Sequence, residues 1–413
     1  MKTEKDFLRK SIRVGIMSAL NFGIMGLGGI WISREIGPAS RGELTQMLLI
    51  YVILGIISET GVLGAATYFS SIYPKSCSNV LYLVRKKMIR NSLVLFPFYI
   101  FILNYFQVLS RLQTLLALSI LLVSNMLGGP SHVLQAVNID LWRKSQYTQA
   151  FSYIVIFIIS LNIEVTTNFA FMLIVLPGVM SGIAAKFVLT RLLKGDYFNQ
   201  DSGNNREISK EFSKYSKSGF LWIMTNETFS RVELVLASIY LSMSDLGNFS
   251  LLLSWLMISS PFSGAIGNIV FPVIARDFSS NRFHRRQIYV YLRNTLVTSF
   301  VLTGTLLILV PVLLDRIMQD VYEDYSHYVI PMAILVLLKQ TSTVLAEIIR
   351  GLDLNIYYAV YLFFILASTT IASIIIRPND PISILLIVLA GHLVNLGAGI
   401  RLVASTIGKR EIL

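Results

Sequence analysis

The sequence predicts an all-α polytopic membrane protein of about twelve transmembrane helices. Three observations predict it. Twelve long apolar stretches run through the 413 residues, hydrophobic residues make up 54% against 14% charged, and Lys and Arg fall into alternate gaps between the stretches. The stretches lie near 12–32, 44–69, 90–108, 112–136, 147–163, 168–190, 219–241, 246–274, 294–314, 328–349, 355–376 and 382–404. Most are close to the roughly 20 apolar residues that cross a bilayer. Of the 35 Lys and Arg, 28 lie in the termini and one alternate set of gaps when Arg13, Arg90, Lys186 and Arg401 near span ends are counted with the adjoining segments, 5 lie in the other set and 2 lie deep inside spans. Cytoplasmic loops retain cations, so both termini are expected on the cytoplasmic side of the inner (cytoplasmic) membrane. The formal charge of +12 then reflects topology and contact with anionic membrane lipids. A nucleic-acid partner is not expected, because the cations are spread over many short segments and not gathered in one module.

Each element follows in order. The basic start MKTEKDFLRKSIR leads into a long apolar stretch without a small-residue cleavage site, so it reads as a retained first span. Span 2 carries Glu59. Span 4 contains Gly128, Gly129 and Pro130, span 6 Pro177 with Gly178, and span 9 Pro311, all able to bend a membrane helix. The polar stretch 192–213 reads as a cytoplasmic inter-lobe linker between an N-lobe, 1–191 (spans 1–6), and a C-lobe, 214–413 (spans 7–12). Span 7 carries Glu227, Arg231 and Glu233, and span 10 carries Lys339 and Glu347. Span 8 has the densest set of helix breakers, Pro261, Gly264 and Gly267, and is the expected hinge. The longest loop on the expected outer side, about 315–327, holds Asp315, Asp320, Glu323 and Asp324.

Across the linker there is an internal match. IWISREIGPASRGELTQMLLIY aligns without gaps to VLASIYLSMSDLGNFSLLLSW, each an apolar span, a turn ending in Gly42 or Gly247, and a second apolar span. Six spans per half keep the two halves in the same orientation, so the repeat is parallel, with a pseudo-two-fold along the membrane normal. Such a duplication places a substrate path between two rocking lobes.

The chemistry-bearing residues narrow the class. The single Cys77 excludes an intramolecular disulfide, and His132, His284, His327 and His392 have no ligand spacing, so no metal site or cofactor is expected. There is no G-x-x-x-x-G-K-[ST] loop to hold a nucleotide. The small outer loops disfavour an enzyme such as a polysaccharide polymerase and favour a transporter. An ionised group at a helix centre costs roughly 2.5–3.5 kcal/mol, so the six intramembrane charges must face protein or water. Glu227 and Arg231 are spaced i,i+4, the geometry of a salt bridge on one helical face; Glu233, two residues on, should face a different neighbour. Arg231 reads either as an anion-binding cation of a wet cavity or as a bridge to Glu227. Lys339, followed by Gln340, Thr341 and Thr343, supports the same cavity. Glu59 is a candidate proton or cation site, or a packed and hydrogen-bonded group. Glu347 lies near Arg350, which points to a structural bridge.

Ile36–Leu44 (IGPASRGEL) resembles the "LGPxxRGEL" turn after the first span of the O-antigen-type polysaccharide flippases of the multidrug/oligosaccharidyl-lipid/polysaccharide (MOP) exporter superfamily. ETGVLGAATYFSS (59–71), the stretch around Arg231, Val232 and Glu233, and FPVIARDF (271–278) are similar to their second, seventh and eighth spans. The family's Arg-x-Asp is here Arg-x-Glu. The resemblance implies a V-shaped pair of six-helix lobes around a cationic cavity. It also implies a functional monomer that flips a polyprenyl-pyrophosphate-linked oligosaccharide, an O-antigen or capsule repeat unit, to the outer leaflet, beside polymerase or chain-length machinery. Arg231 and Lys339 would neutralise the pyrophosphate, and H⁺ or Na⁺ antiport through the carboxylates Glu59, Glu227, Glu233 or Glu347 would drive turnover. A drug or small-cation antiporter of the same superfamily is the alternative.

Overall fold

The structure is a computed structural model and describes residues 2–106, 111–193, 205–280, 285–318 and 328–410. No strand occurs among them. The helices are α1 (Lys2–Glu59), α2 (Val62–Ile72), α3 (Cys77–Phe106), α4 (Arg111–Val137), α5 (Ile139–Ser160), α6 (Thr167–Leu193), α7 (Asn205–Phe229), α8 (Val232–Tyr240), α9 (Met243–Leu256), α10 (Ser260–Ser279), α11 (Arg285–Met318), α12 (Val329–Gly351), α13 (Asn355–Ile376) and α14 (Pro381–Arg410).

Every expected span falls on helix, but three are broken. Spans 1 and 2 share α1, which turns at Gly37 (φ 73°) just before Pro38; the ring of Pro38 disfavours helical backbone at the residue before it. Span 2 is interrupted at Thr60 and Gly61, both with positive φ, and resumes as α2. Span 7 is interrupted between α7 and α8, and span 8 by a 3₁₀ turn, Met257–Ser259, between α9 and α10. Among the described residues, eight helical stretches are long and apolar enough to cross a membrane by length and composition. The other expected spans are 3, 5 and 7, while 1 and 2 count as one stretch.

The chain divides into two compact units, residues 1–46 with 228–413, and residues 47–227. Residues 38–46 of the first unit pack against α9. The linker residues 194–204, and the loop residues 319–327 with Asp320, Glu323, Asp324 and His327, lie outside the described residues, as does His284.

In the first unit α12 is central, packed on α10, α11 and α14. Its membrane window is 67% buried, against 17% for that of α11. The exposed Phe300 and Ile308 on α11, and Phe363, Phe364 and Ile375 on α13, are the lipid-facing side expected of a membrane protein. The crossing of α1 with α9 is backbone on backbone. A Cβ on Gly42 would lie 2.1 Å from the Met243 carbonyl oxygen, and one on Gly247 would lie 1.9 Å from that of Pro38. Thr45 Oγ1 donates to Ser250 Oγ at 2.9 Å. Pro38 and Met243, Gly42 and Gly247, and Thr45 and Ser250 are each 205 residues apart, so the contacts are reciprocal. This crossing is the sequence repeat meeting itself across its own pseudo-two-fold.

In the second unit, α4 packs on α2, α3 and α6, and α5 on α6. Val62, Phe69, Val80, Val84, Met88, Val133, Leu134, Leu189 and Phe212 form its core. Gly128 and Gly129, expected to allow a bend, instead admit neighbours: a Cβ there would meet Leu63 at 2.8 Å and Val84 at 2.6 Å. α4 stays helical through Pro130. Cys77 is a buried free thiol, pushed up to about 11 by burial.

Candidate functional site

The first unit places two of the expected site residues in direct contact. Helix α7 ends at Phe229, Ser230 and Arg231 form a turn, and α8 starts at Val232. Thr228 and Ser230 have short polar side chains that compete for backbone hydrogen bonds and weaken a helix. The Arg231 N–H donates to the Thr228 carbonyl at 3.2 Å, a tightened turn. The helix that carries Glu227 therefore stops two residues before Arg231. Arg231 becomes the N-cap of α8, with its guanidinium donating to Ser230 Oγ at 3.0 Å.

Beyond the break, Glu233 faces α12, where Lys339 Nζ donates to its Oε1 in an ion pair. The Glu233 side chain is 0% exposed and that of Lys339 is 10% exposed. Glu233 thus does face a different neighbour from Arg231. Lys339, in contrast, does not stand as an unneutralised cavity cation, because the carboxylate compensates it. A buried pair of this kind holds together only if the remaining donors and acceptors are served, and Glu233 Oε2 has no hydrogen-bond partner among the described residues.

The first unit holds further buried polar groups. Gln340 Nε2 donates to Ser259 Oγ, in the 3₁₀ turn beside Pro261. Tyr358 Oη on α13 donates to Asn395 Oδ1 on α14 at 2.9 Å. His392, 2% exposed, rests against Phe229 with ring centroids 4.5 Å apart, and neither ring nitrogen has a hydrogen-bond partner among the described residues. The sequence offered His392 only as one of four scattered histidines without ligand spacing, and did not single out Tyr358 or Asn395. The signal was present: His392 and Asn395 lie i,i+3 on an apolar span, one helical face apart from lipid.

The remaining expected residues are elsewhere. Glu347 accepts from Arg350 at 3.3 Å, and the Arg350 guanidinium lies 4.2 Å from the Phe271 ring centroid. A Cβ on Gly267 would lie 3.2 Å from Glu347 Cγ, so α10 approaches α12 closely there. Pro261 sits in the first turn of α10, immediately after the 3₁₀ turn, and Gly264 faces open space. Glu227, half-buried, is the last residue of the second unit. Glu59 ends the helical part of span 2 before the break at Thr60–Gly61. There Asn91 Nδ2 donates to Thr60 Oγ1, and Ser216 Oγ donates to the Thr60 carbonyl at 3.0 Å. Among the described residues, no group of three or more His, Cys, Asp or Glu could hold a metal ion.

No protein-family model matches the chain, and no curated protein does. Solved structures do. The eukaryotic MATE transporter AtDTX14 aligns with TM-score 0.72 at 12% identity, covering 97% of this chain and 96% of that one. A substituted form of the Vibrio cholerae MATE transporter VcmN aligns with TM-score 0.70 at 12% identity, covering 99% of each. An outward-facing multidrug resistance MATE family transporter of the MOP superfamily aligns with TM-score 0.68 at 13% identity, covering 98% and 97%. At such identities the likeness is one of fold: an all-helical multi-pass membrane protein with the architecture of the MATE transporters.

Proposed function

We propose that this chain is an alternating-access exporter in which the buried Glu233–Lys339 pair is the ion-responsive element. The observation that carries the reading is the pair itself: a fully buried carboxylate whose charge is balanced by a lysine on another helix. Protonation of Glu233 would release the Lys339 ammonium, and the pair would re-form when the proton leaves. One charge crossing the membrane potential is worth about 2.3 kcal/mol per 100 mV, enough to bias such a cycle. For the substrate, drug or organic-cation antiport is the reading that the solved neighbours support, and a pair that cancels its own charge fits a cavity with no standing excess of cations.

A lipid-linked oligosaccharide is the second reading, carried by the turn Ile36–Leu44 and by Arg231, which keeps a guanidinium at the helix break. Proteoliposomes with an imposed pH gradient separate the two. Gradient-driven movement of a fluorescent organic cation, lost in Glu233→Gln, supports antiport. Movement of a fluorescent prenyl-diphosphate sugar between leaflets, lost in Arg231→Ala, supports the flippase. Full gradient-driven transport of either substrate by Glu233→Gln would overturn the ion-responsive role of the pair.

A further inference from the structure

The second unit carries a cluster of cations that the transport reading does not use. On α3, Lys87 is half-buried and Arg90 is exposed; on α7, Lys217 is exposed. The two helices are fixed against each other at this point. Lys87 Nζ lies 5.1 Å from the centroid of the Phe212 ring. Asn91, next to Arg90, and Ser216, next to Lys217, both donate to Thr60 at the break in span 2. Gly61 seals the joint: with φ 70°, its hypothetical Cβ would lie 2.3 Å from the Ser216 carbonyl oxygen and 2.4 Å from the Phe220 nitrogen. The joint therefore brings together the helix segments that carry these three cations.

Like charges held in a folded structure repel unless an anion lies between them. The Lys87 ammonium is brought down to about 8 by burial, and then by Arg90 and Lys217. No ion pair with a described carboxylate relieves any of the three. Even with nearby Glu59 counted against them, the cations are in excess. The residues lie where spans 3 and 7 begin in the sequence, the depth at which lipid headgroups sit. A guanidinium and two ammonium groups are the donor set for a phosphate group.

The geometry points to a binding site for the phosphate group of an anionic lipid, formed by Lys87, Arg90 and Lys217 at the joint of α3, α7 and the Thr60–Gly61 break. The site does not depend on which substrate is exported. Two sources share this chemistry, an acidic phospholipid and a prenyl diphosphate, and the test distinguishes them.

Native mass spectrometry of the full chain, titrated separately with phosphatidylglycerol, farnesyl diphosphate, phosphatidylcholine and inorganic pyrophosphate, reads the site. The triple variant Lys87→Gln, Arg90→Gln, Lys217→Gln should bind phosphatidylglycerol or farnesyl diphosphate at least about tenfold more weakly than the parent chain. The stronger of the two names the source. A control triple, Lys75→Gln, Lys144→Gln, Lys186→Gln, removes the same charge from the same unit and should bind as the parent does. Equal losses in both triples would reduce the cluster to diffuse surface charge and overturn the proposal. So would retention by phosphatidylcholine equal to that of the acidic lipids, or displacement of lipid by inorganic pyrophosphate at equal concentration. Should the site triple misfold, acylation of Lys87 in the parent chain at pH 8 decides the matter: protection by the acidic lipid is expected, and unchanged labelling would overturn the site.

Discussion

Removing either member of the Glu233–Lys339 pair leaves the other buried and uncompensated, and that sets the first expectation. Glu233→Gln or Lys339→Met alone should destabilise the detergent-solubilised protein by about 3–5 kcal/mol, while the double variant should recover most of the loss. Thermal unfolding of the three proteins measures it; additive losses would show that the two side chains do not depend on each other. Lys87 gives a pH signature. Its folded value of about 8 lies below the ordinary 10.5, so between those limits the unfolded chain binds more protons and stability rises with pH. The full penalty is present below about pH 8 and disappears as pH rises towards 10.5. Lys87→Met should remove that slope and raise stability at pH 7, as read from unfolding midpoints across the range. Cys77 shifts in the other sense: with the thiol near 11 and buried, maleimide at pH 8 should label the folded chain slowly and the unfolded chain rapidly.

At the scale of the helix, positions were legible, and so were the turn at Gly37 and the bend beside Pro261; the breaks inside spans 2 and 7 were not. The twelve apolar stretches fall on helices because hydropathy over some twenty residues records the bilayer, whatever the backbone does locally. The breaks at Thr60–Gly61 and at Ser230–Arg231 lie inside apolar runs that the same hydropathy reads as continuous. That is why the partner of Glu233 could not be read: the turn re-aims it at a lysine 106 residues away. Glu233 and Lys339 were legible as candidates because intramembrane charges are costly and conspicuous. His392 and Asn395 were visible as polar groups i,i+3 on an apolar span, but the sequence does not show what such a group packs against. The break at Gly61 invites a direct measurement. Gly61→Ala would place a Cβ within 2.4 Å of two backbone atoms at φ 70° and should cost about 3 kcal/mol or more. Gly264→Ala, at open space, should be close to neutral. Comparable unfolding midpoints for the two variants would mean that the joint is looser than its geometry.

For the whole molecule, the repeat is both a sequence fact and a mechanical one. The offset that aligns Gly42 with Gly247 also relates every member of the α1–α9 crossing, so the two copies of one turn pack on each other with their glycines letting backbone touch backbone. A symmetric contact of this kind contributes the same groups from each half, and no side chain bulk stands between the helices to hold them apart. In an alternating-access cycle built on a parallel repeat, the halves separate on one membrane face while they close on the other. Under the proposed exporter cycle, this crossing is the contact expected to part when its membrane face opens. Thr45 and Ser250 lie on that axis with their hydroxyl oxygens 2.9 Å apart, within reach of a disulfide after substitution by cysteine. In a Cys77→Ser background, the pair Thr45→Cys, Ser250→Cys should cross-link on mild oxidation, abolish transport in proteoliposomes, and regain it with reductant, while either single variant transports under both conditions. Full transport by the oxidised, cross-linked protein would show that the crossing stays shut through the cycle, and the moving contact would then have to be sought at the 3₁₀ turn before Pro261.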